Sequence, residues 1–187
     1  MDLYPLLRLM HVAGFILLGG GLLAVFVSEW RGYGARDPAA FAEAARYTAL
    51  LYDALALPGA LLIGVSGFFL VGQLGLGWFD PPWLAGMWGL FLFEFIEGNT
   101  VTRFQFRRTL RLSRPFAEGT PLTEDRRREA RTRLGQVAHF LDLPLFSAIV
   151  WCGVIRPERW SAVAVAIALA VSAAALLTVA VPRLARR

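Results

Sequence analysis

The chain contains no lysine, a single cysteine and only two histidines in 187 residues. Cys152 alone excludes an internal disulfide and any metal cage built on cysteines. His11 and His139 are the only imidazoles, so histidine ligation of haem or a transition metal is confined to those two positions. Charge is sparse as well: Asp, Glu and Arg make up 18% of the residues, below the roughly 25% of ordinary soluble chains. In their place stand 57% hydrophobic residues and a mean hydropathy of +0.54, more apolar side chain than one soluble domain of 20.6 kDa can bury. The composition predicts an all-α integral membrane helical bundle.

The charge that is present is local. All nineteen basic residues are Arg, and ten of them lie between Arg103 and Arg133, so the net charge of +5 comes mainly from one segment. That distribution does not suit a nucleic-acid surface, and no nucleic-acid partner is expected.

A bilayer core takes about 20 apolar residues in helix. Five stretches meet that length, at about 4–27, 49–72, 83–102, 136–154 and 162–181. Residues 1–157 therefore read as a four-helix membrane core with an Arg-rich hairpin at 103–135, and 158–187 as a fifth transmembrane helix with a basic tail. Asp2 stands where a signal peptide has basic residues, and no small-residue cleavage pattern follows, so the first stretch reads as a retained span. Five spans place sixteen Arg on one side: Arg31, Arg36 and Arg46, the ten of the hairpin, and Arg183, Arg186 and Arg187. Arg156 and Arg159 fall on the other. The expected topology is a bacterial cytoplasmic membrane protein with its N-terminus outside and its C-terminus in the cytoplasm. The hairpin arginines are then expected to meet anionic lipid headgroups, and Trp30, Trp78, Trp83 and Trp160 to lie at the interfaces.

Local signals add detail. Pro58 and Pro144 should kink their spans. Pro115, Gly119 and Pro121 mark a turn, after which Thr123 should cap a helix running through Arg133 into the fourth span. Small residues form packing rows at Ala56, Ala60, Gly64 and Gly67 and at Ala162, Ala166, Ala170 and Ala174. The second row faces either its own bundle or a neighbouring subunit.

Ionisable residues inside a span are costly and mark candidate sites. Here they are Arg8, His11, Asp53, Glu94, Glu97, His139 and Asp142. Depth along the helices puts Arg8 and His11 in the outer half and the other five in the inner half. Glu94 with Glu97, and His139 with Asp142, are three residues apart and share a helix face. Glu94, Glu97, His139, Asp142 and Asp53 are thus candidate ligands of a divalent metal, with hard oxygen donors and one imidazole. The same groups equally suit a proton path, or ion pairs with Arg46, Arg103 and Arg107.

In the outer half, His11 is followed by Gly14, Gly19, Gly20 and Gly21. An imidazole for iron and absent side chains for a flat ring make His11 and Gly14 candidates for binding haem b, with Arg8 a partner for a propionate and Tyr4 one turn before it. The competing reading hydrogen-bonds His11 across helices and lets Arg8 snorkel outward. Depth separates His11 from His139 by about 15 Å, which disfavours a haem shared by both.

Leu6 to Gly14 around His11, Asp53 with Pro58-Gly59 and Gly67, Trp83, and Asp142-Leu-Pro144 followed by Arg156-Pro157 together resemble a group of uncharacterised bacterial integral membrane proteins. That group is similar to the copper-resistance CopD-type domains and the HemJ-type protoporphyrinogen oxidases. The resemblance covers roughly the first 157 residues. It implies a four-helix core in which His11 holds haem and Asp142 matches the acid of the fourth helix, hence a membrane oxidoreductase. The lysines of HemJ-type proteins are absent, and the third span carries Glu94 and Glu97 instead. Two further readings remain open. One is a non-catalytic subunit or assembly factor of a membrane complex, or a homo-oligomer, joined through the Ala-rich last helix and the Arg hairpin. The other is a cation or proton transporter, although the chain has no inverted repeat.

Overall fold

The computed structural model describes residues 3–185, and Asp2, Arg186 and Arg187 lie outside them. Helix α1 (Tyr4–Gly34) leads through a three-residue break to α2 (Pro38–Leu51), whose N-terminus is capped by the Asp37 carboxylate accepting from the Ala40 amide at 3.0 Å. The column continues through a widened π-turn (Tyr52–Ala56) into α3 (Leu57–Gln73). Pro58 explains that turn. It lacks an amide hydrogen and its ring crowds the carbonyl one turn back, and the wider turn, closed by the Leu57 amide on the Tyr52 carbonyl, absorbs both faults. A second π-turn (Gly98–Thr102) joins α4 (Pro82–Glu97) to α5 (Arg103–Ala117). The short α6 (Glu124–Ala130), then α7 (Arg133–Ile155) and α8 (Trp160–Leu184) complete an all-α membrane helical bundle.

Among the described residues, four helical columns are long and apolar enough to cross a membrane: Tyr4–Gly34, Pro38–Gln73, Arg133–Ile155 and Trp160–Leu184. The stretch expected at 83–102 forms α4, whose 16 residues rise about 24 Å. It continues unbroken through its π-turn into the Arg-rich α5. Leu9, Ile16, Leu23, Phe68, Leu169 and Leu176 are exposed on the outer faces of the bundle, as a lipid-facing surface requires.

Two expectations are corrected. The segment 28–48, read as a loop, is mostly helix, because α1 runs on to Gly34 and α2 begins at Pro38. The helix expected to run from Thr123 through Arg133 is broken at 131–132. Arg131 adopts an extended backbone as its guanidinium turns inward, and Thr132 then caps α7, its hydroxyl accepting from the Gly135 amide at 3.1 Å. The Trp78 ring, in the turn between α3 and α4, lies 4.8 Å from Phe68 and 5.5 Å from Trp88.

Gly14 and Gly21 of α1 serve helix contact. A Cβ at Gly14 would lie 2.9 Å from the Gly59 carbonyl oxygen, and one at Gly59 only 2.4 Å from the Leu18 nitrogen, so α1 and α3 meet backbone to backbone. Helix α8 packs on α7 through buried Ala170 and Ala174, and Val163 fills the notch left by Gly86. The alanine row therefore faces its own bundle.

Candidate cofactor cavity and inner acid group

A cavity of about 290 Å³ lies among α1, the second column, α4 and α7. His11 stands on its wall, and so do Glu94 and Asp142. His11 packs at the level of Gly67 and Trp88, where a Cβ at Gly67 would lie 3.3 Å from the imidazole Cε1 and 3.9 Å from the indole. Glu94 is six residues beyond Trp88 along α4, about 9 Å at helical rise. One cavity thus joins two groups that the sequence suggests as separate sites.

The imidazole of His11 is oriented by Ser66. The Ser66 hydroxyl donates to the Leu62 carbonyl, so its oxygen accepts from His11 Nδ1, 3.0 Å away. Ser66 thus holds the ring through Nδ1, and in the tautomer that donates from Nδ1 the Nε2 lone pair is the one open to a ligand. The other residues suggested for a cofactor lie elsewhere. Gly14 is spent on the contact with α3, and Arg8 and Tyr4 are exposed near the start of α1, off the cavity wall.

At the inner end, the carboxyl groups of Glu94, Glu97 and Asp142 gather closely enough to act on one another electrostatically. His139 Nδ1 is 3.5 Å from Asp142 Oδ2, so the pair expected to share one face of α7 does so. The second π-turn holds Glu97 from below: the Thr102 hydroxyl donates to Glu97 Oε1 at 2.9 Å. Glu94 Oε1, Glu97 Oε2, Asp142 Oδ2 and both nitrogens of His139 are buried without a hydrogen-bond partner. His139 lies off the cavity wall with its ring 5.2 Å from those of Phe106 and Phe140, so the two histidines occupy different environments.

Asp53 is not part of this group. Its carboxylate is engaged by Arg103 Nε at 2.7 Å and Arg107 at 3.2 Å, at a partly exposed edge. Among the described residues, no three of His, Cys, Asp and Glu are placed to hold one metal ion.

Three residues important to this end of the bundle were not among the candidates. Tyr52, in the first π-turn, lines the cavity and brings its hydroxyl over Gly98 of the second, where a Cβ would lie 2.6 Å away. Its signal was its place next to Asp53 and just before Pro58. Glu29 and Arg131 form a buried ion pair at 3.4 Å, with the guanidinium 3.9 Å from the centre of the Tyr33 ring and the Thr48 hydroxyl donating to Glu29 at 3.4 Å. Gly32 leaves the space that the guanidinium enters. Only the reach of α1 beyond residue 27 reveals that pair.

Residues 5–157 match the model of a family described as "Predicted integral membrane protein (DUF2269)". The match ends with α7, so α8 lies outside it. No curated protein and no solved structure matches the chain.

Proposed function

The chain belongs to the DUF2269 family of predicted integral membrane proteins, and from that premise we propose that its bundle binds a b-type haem through His11. The observation that carries this reading is the imidazole itself, held through Nδ1 by Ser66 on the wall of an apolar cavity. Gly64 and Gly67 keep the α3 wall low, and Trp88, Phe91 and Phe146 exclude water, which together suit a flat apolar ring. The resemblance of residues 6–14 to the first helix of HemJ-type proteins points the same way. No arginine lines the cavity, so the propionates would lie beyond these walls. A haem held there supplies one-electron chemistry, and the chain's own part is to ligate, orient and keep the site dry.

We further read the Arg-rich end as cytoplasmic, in a bacterial inner membrane. Helix α5 supports this. It buries Gln105, Phe106, Thr109, Ser113 and Phe116 and exposes Arg107, Arg108, Arg111 and Arg114, a pattern suited to anionic headgroups.

The test is an absorption spectrum with metal analysis of the detergent-purified protein. The expected result is a Soret band in the native chain and in His139→Ala that is lost in His11→Ala. Protein that folds without a Soret band overturns the haem reading. A stoichiometric divalent ion in its place restores the alternative of a metal at Glu94, Glu97, His139 and Asp142.

A further inference from the structure

We infer that the cavity takes its ligand sideways from the bilayer, through the seam between α3 and α4, so that the ligand is an apolar ring compound dissolved in the membrane. This route serves the cavity on which the haem reading rests, and it holds whether or not the ring is haem.

Three of the four seams around the cavity are closed by packing. Helices α1 and α3 meet backbone to backbone at Gly14 and Gly59. Helix α4 seats on α7 and α8, where Val163 fills the notch at Gly86 and the Met87 sulfur lies 3.4 Å from the Cβ position of Gly153. Between α1 and α7 the Phe15 and Phe146 rings stack with centroids 5.6 Å apart, and Phe146 lies against Gly19. The two ends are covered as well. Trp78 lies across Phe68 and Trp88 at the outer end, and Tyr52 closes on Gly98 and Phe106 at the inner end.

The fourth seam differs in kind. Helices α3 and α4 are joined by the turn at 74–81 but scarcely approach each other along their backbones. What bridges them is the Phe91 ring, 3.2 Å from the Cβ position of Gly64, with Trp88 beside it at the level of Gly67. Both rings are half-buried, and their neighbours Val65 and Phe68 of α3 and Leu92 of α4 are exposed on the lipid-facing surface. A ring swings out by a change of side-chain rotamer, whereas the α1–α3 and α4–α7 seams open only if closely packed helices part.

Energetics select the bilayer over water. Turning Phe91 outward into hydrocarbon exchanges one apolar neighbour for another, while opening the same walls to water exposes apolar surface at a cost. Apart from His11, Tyr52, Glu94, Asn99 and Asp142, the side chains of the lining are apolar, so the ligand leaves one apolar medium for another. Trp88 adds a bias toward opening. Its indole nitrogen is buried without a hydrogen-bond partner, and the closed arrangement carries that unmet bond.

The experiment places the chain, with any bound haem extracted, in phosphatidylcholine vesicles containing a small apolar diazirine, and maps the photo-adducts by mass spectrometry. Adducts are expected on the buried wall residues Leu22 and Tyr52 as well as on the lipid-facing Leu9 and Ile16. A water-soluble diazirine should leave the wall unlabelled. Phe91→Ala should speed labelling of the wall. In a Cys152→Ala background, Gly64→Cys with Phe91→Cys joined by a short reducible dithiol linker should protect the wall but not Leu9 and Ile16, and reductant should reverse the protection. A native wall that stays unlabelled overturns the inference, as does a wall labelled equally by the water-soluble reagent. Labelling that persists in the linked chain assigns entry to another seam and overturns this route. The two reagents are compared on the native chain, so a variant that fails to fold leaves that test standing. A labelled wall in a chain that takes up no haem sinks the haem reading alone.

Discussion

The Tyr52 hydroxyl sits over the bare Cα of Gly98, so that a methyl group there would come within 2.6 Å of it. Each residue opens a π-turn, one interrupting the second helical column and the other the third. The contact brings Tyr52 beside the residue that follows Glu97, and so ties the edge of the bundle to the inner acids.

Gly98→Ala should therefore overpack the two turns and cost about 1–3 kcal/mol. Thermal unfolding in detergent should show a lowered midpoint. In a Tyr52→Phe background the obstructing oxygen is gone, and the same substitution should cost clearly less. Additive effects of the two changes would show that the contact does not exist.

Gly59 and Gly20 should respond in opposite directions to alanine. A Cβ at Gly59 meets backbone atoms of α1 at 2.4 and 2.9 Å, which cannot yield without separating the helices. Gly59→Ala should cost several kcal/mol, of the order of the larger overpacking penalties. Nothing lies within 4 Å of the Cβ position of Gly20. Gly20→Ala should stabilise the chain by about 0.5–1 kcal/mol through backbone entropy.

Removing Arg131 leaves Glu29 buried without its cation. Arg131→Ala should cost about 3–5 kcal/mol, the usual penalty for breaking a buried pair. Arg131→Lys should recover part of that loss but not the stacking on Tyr33, where the guanidinium lies 3.9 Å from the ring centre. Glu29→Gln should be milder than Arg131→Ala, since the amide oxygen can still accept from Thr48. Equal losses in Arg131→Ala and Arg131→Lys would assign the whole effect to stacking and shape.

The Asp53 pairs with Arg103 and Arg107 should matter much less. The three side chains are 36%, 29% and 55% exposed, and ion pairs so open to solvent contribute about 1 kcal/mol or less. Asp53→Asn should shift the unfolding midpoint only slightly, and the shift should shrink with added salt. A loss comparable to that of Arg131→Ala would contradict the difference in burial.

Hydrophobic run length made the class of this protein legible from the start, because a helix must satisfy its own backbone in lipid and the apolar stretches are long enough to do so. The pairing of His139 with Asp142 was legible too, since three-residue spacing fixes a shared helix face whatever surrounds it. Gly14 shows where such reasoning stops. A missing side chain reads the same whether it makes room for a ring or for another helix, and only the position of Gly59 decides between them. For Asp53 the sequence leaves a metal, a proton path and an ion pair with Arg46, Arg103 or Arg107 open, and only the contact with Arg103 and Arg107, some fifty residues along the chain, decides for the pair.

By itself, then, the sequence determined an all-helical membrane bundle, its apolar segments, its Arg-rich end and the short list of ionisable residues inside it, because these depend on composition and on contacts within one helix turn. Only the tertiary structure decided that His11 shares a cavity with Glu94 and Asp142, that Tyr52 reaches Gly98, and that Glu29 is buried with Arg131. Those relations depend on helix rotation and on two π-turns, each set by packing between distant segments rather than by any local pattern.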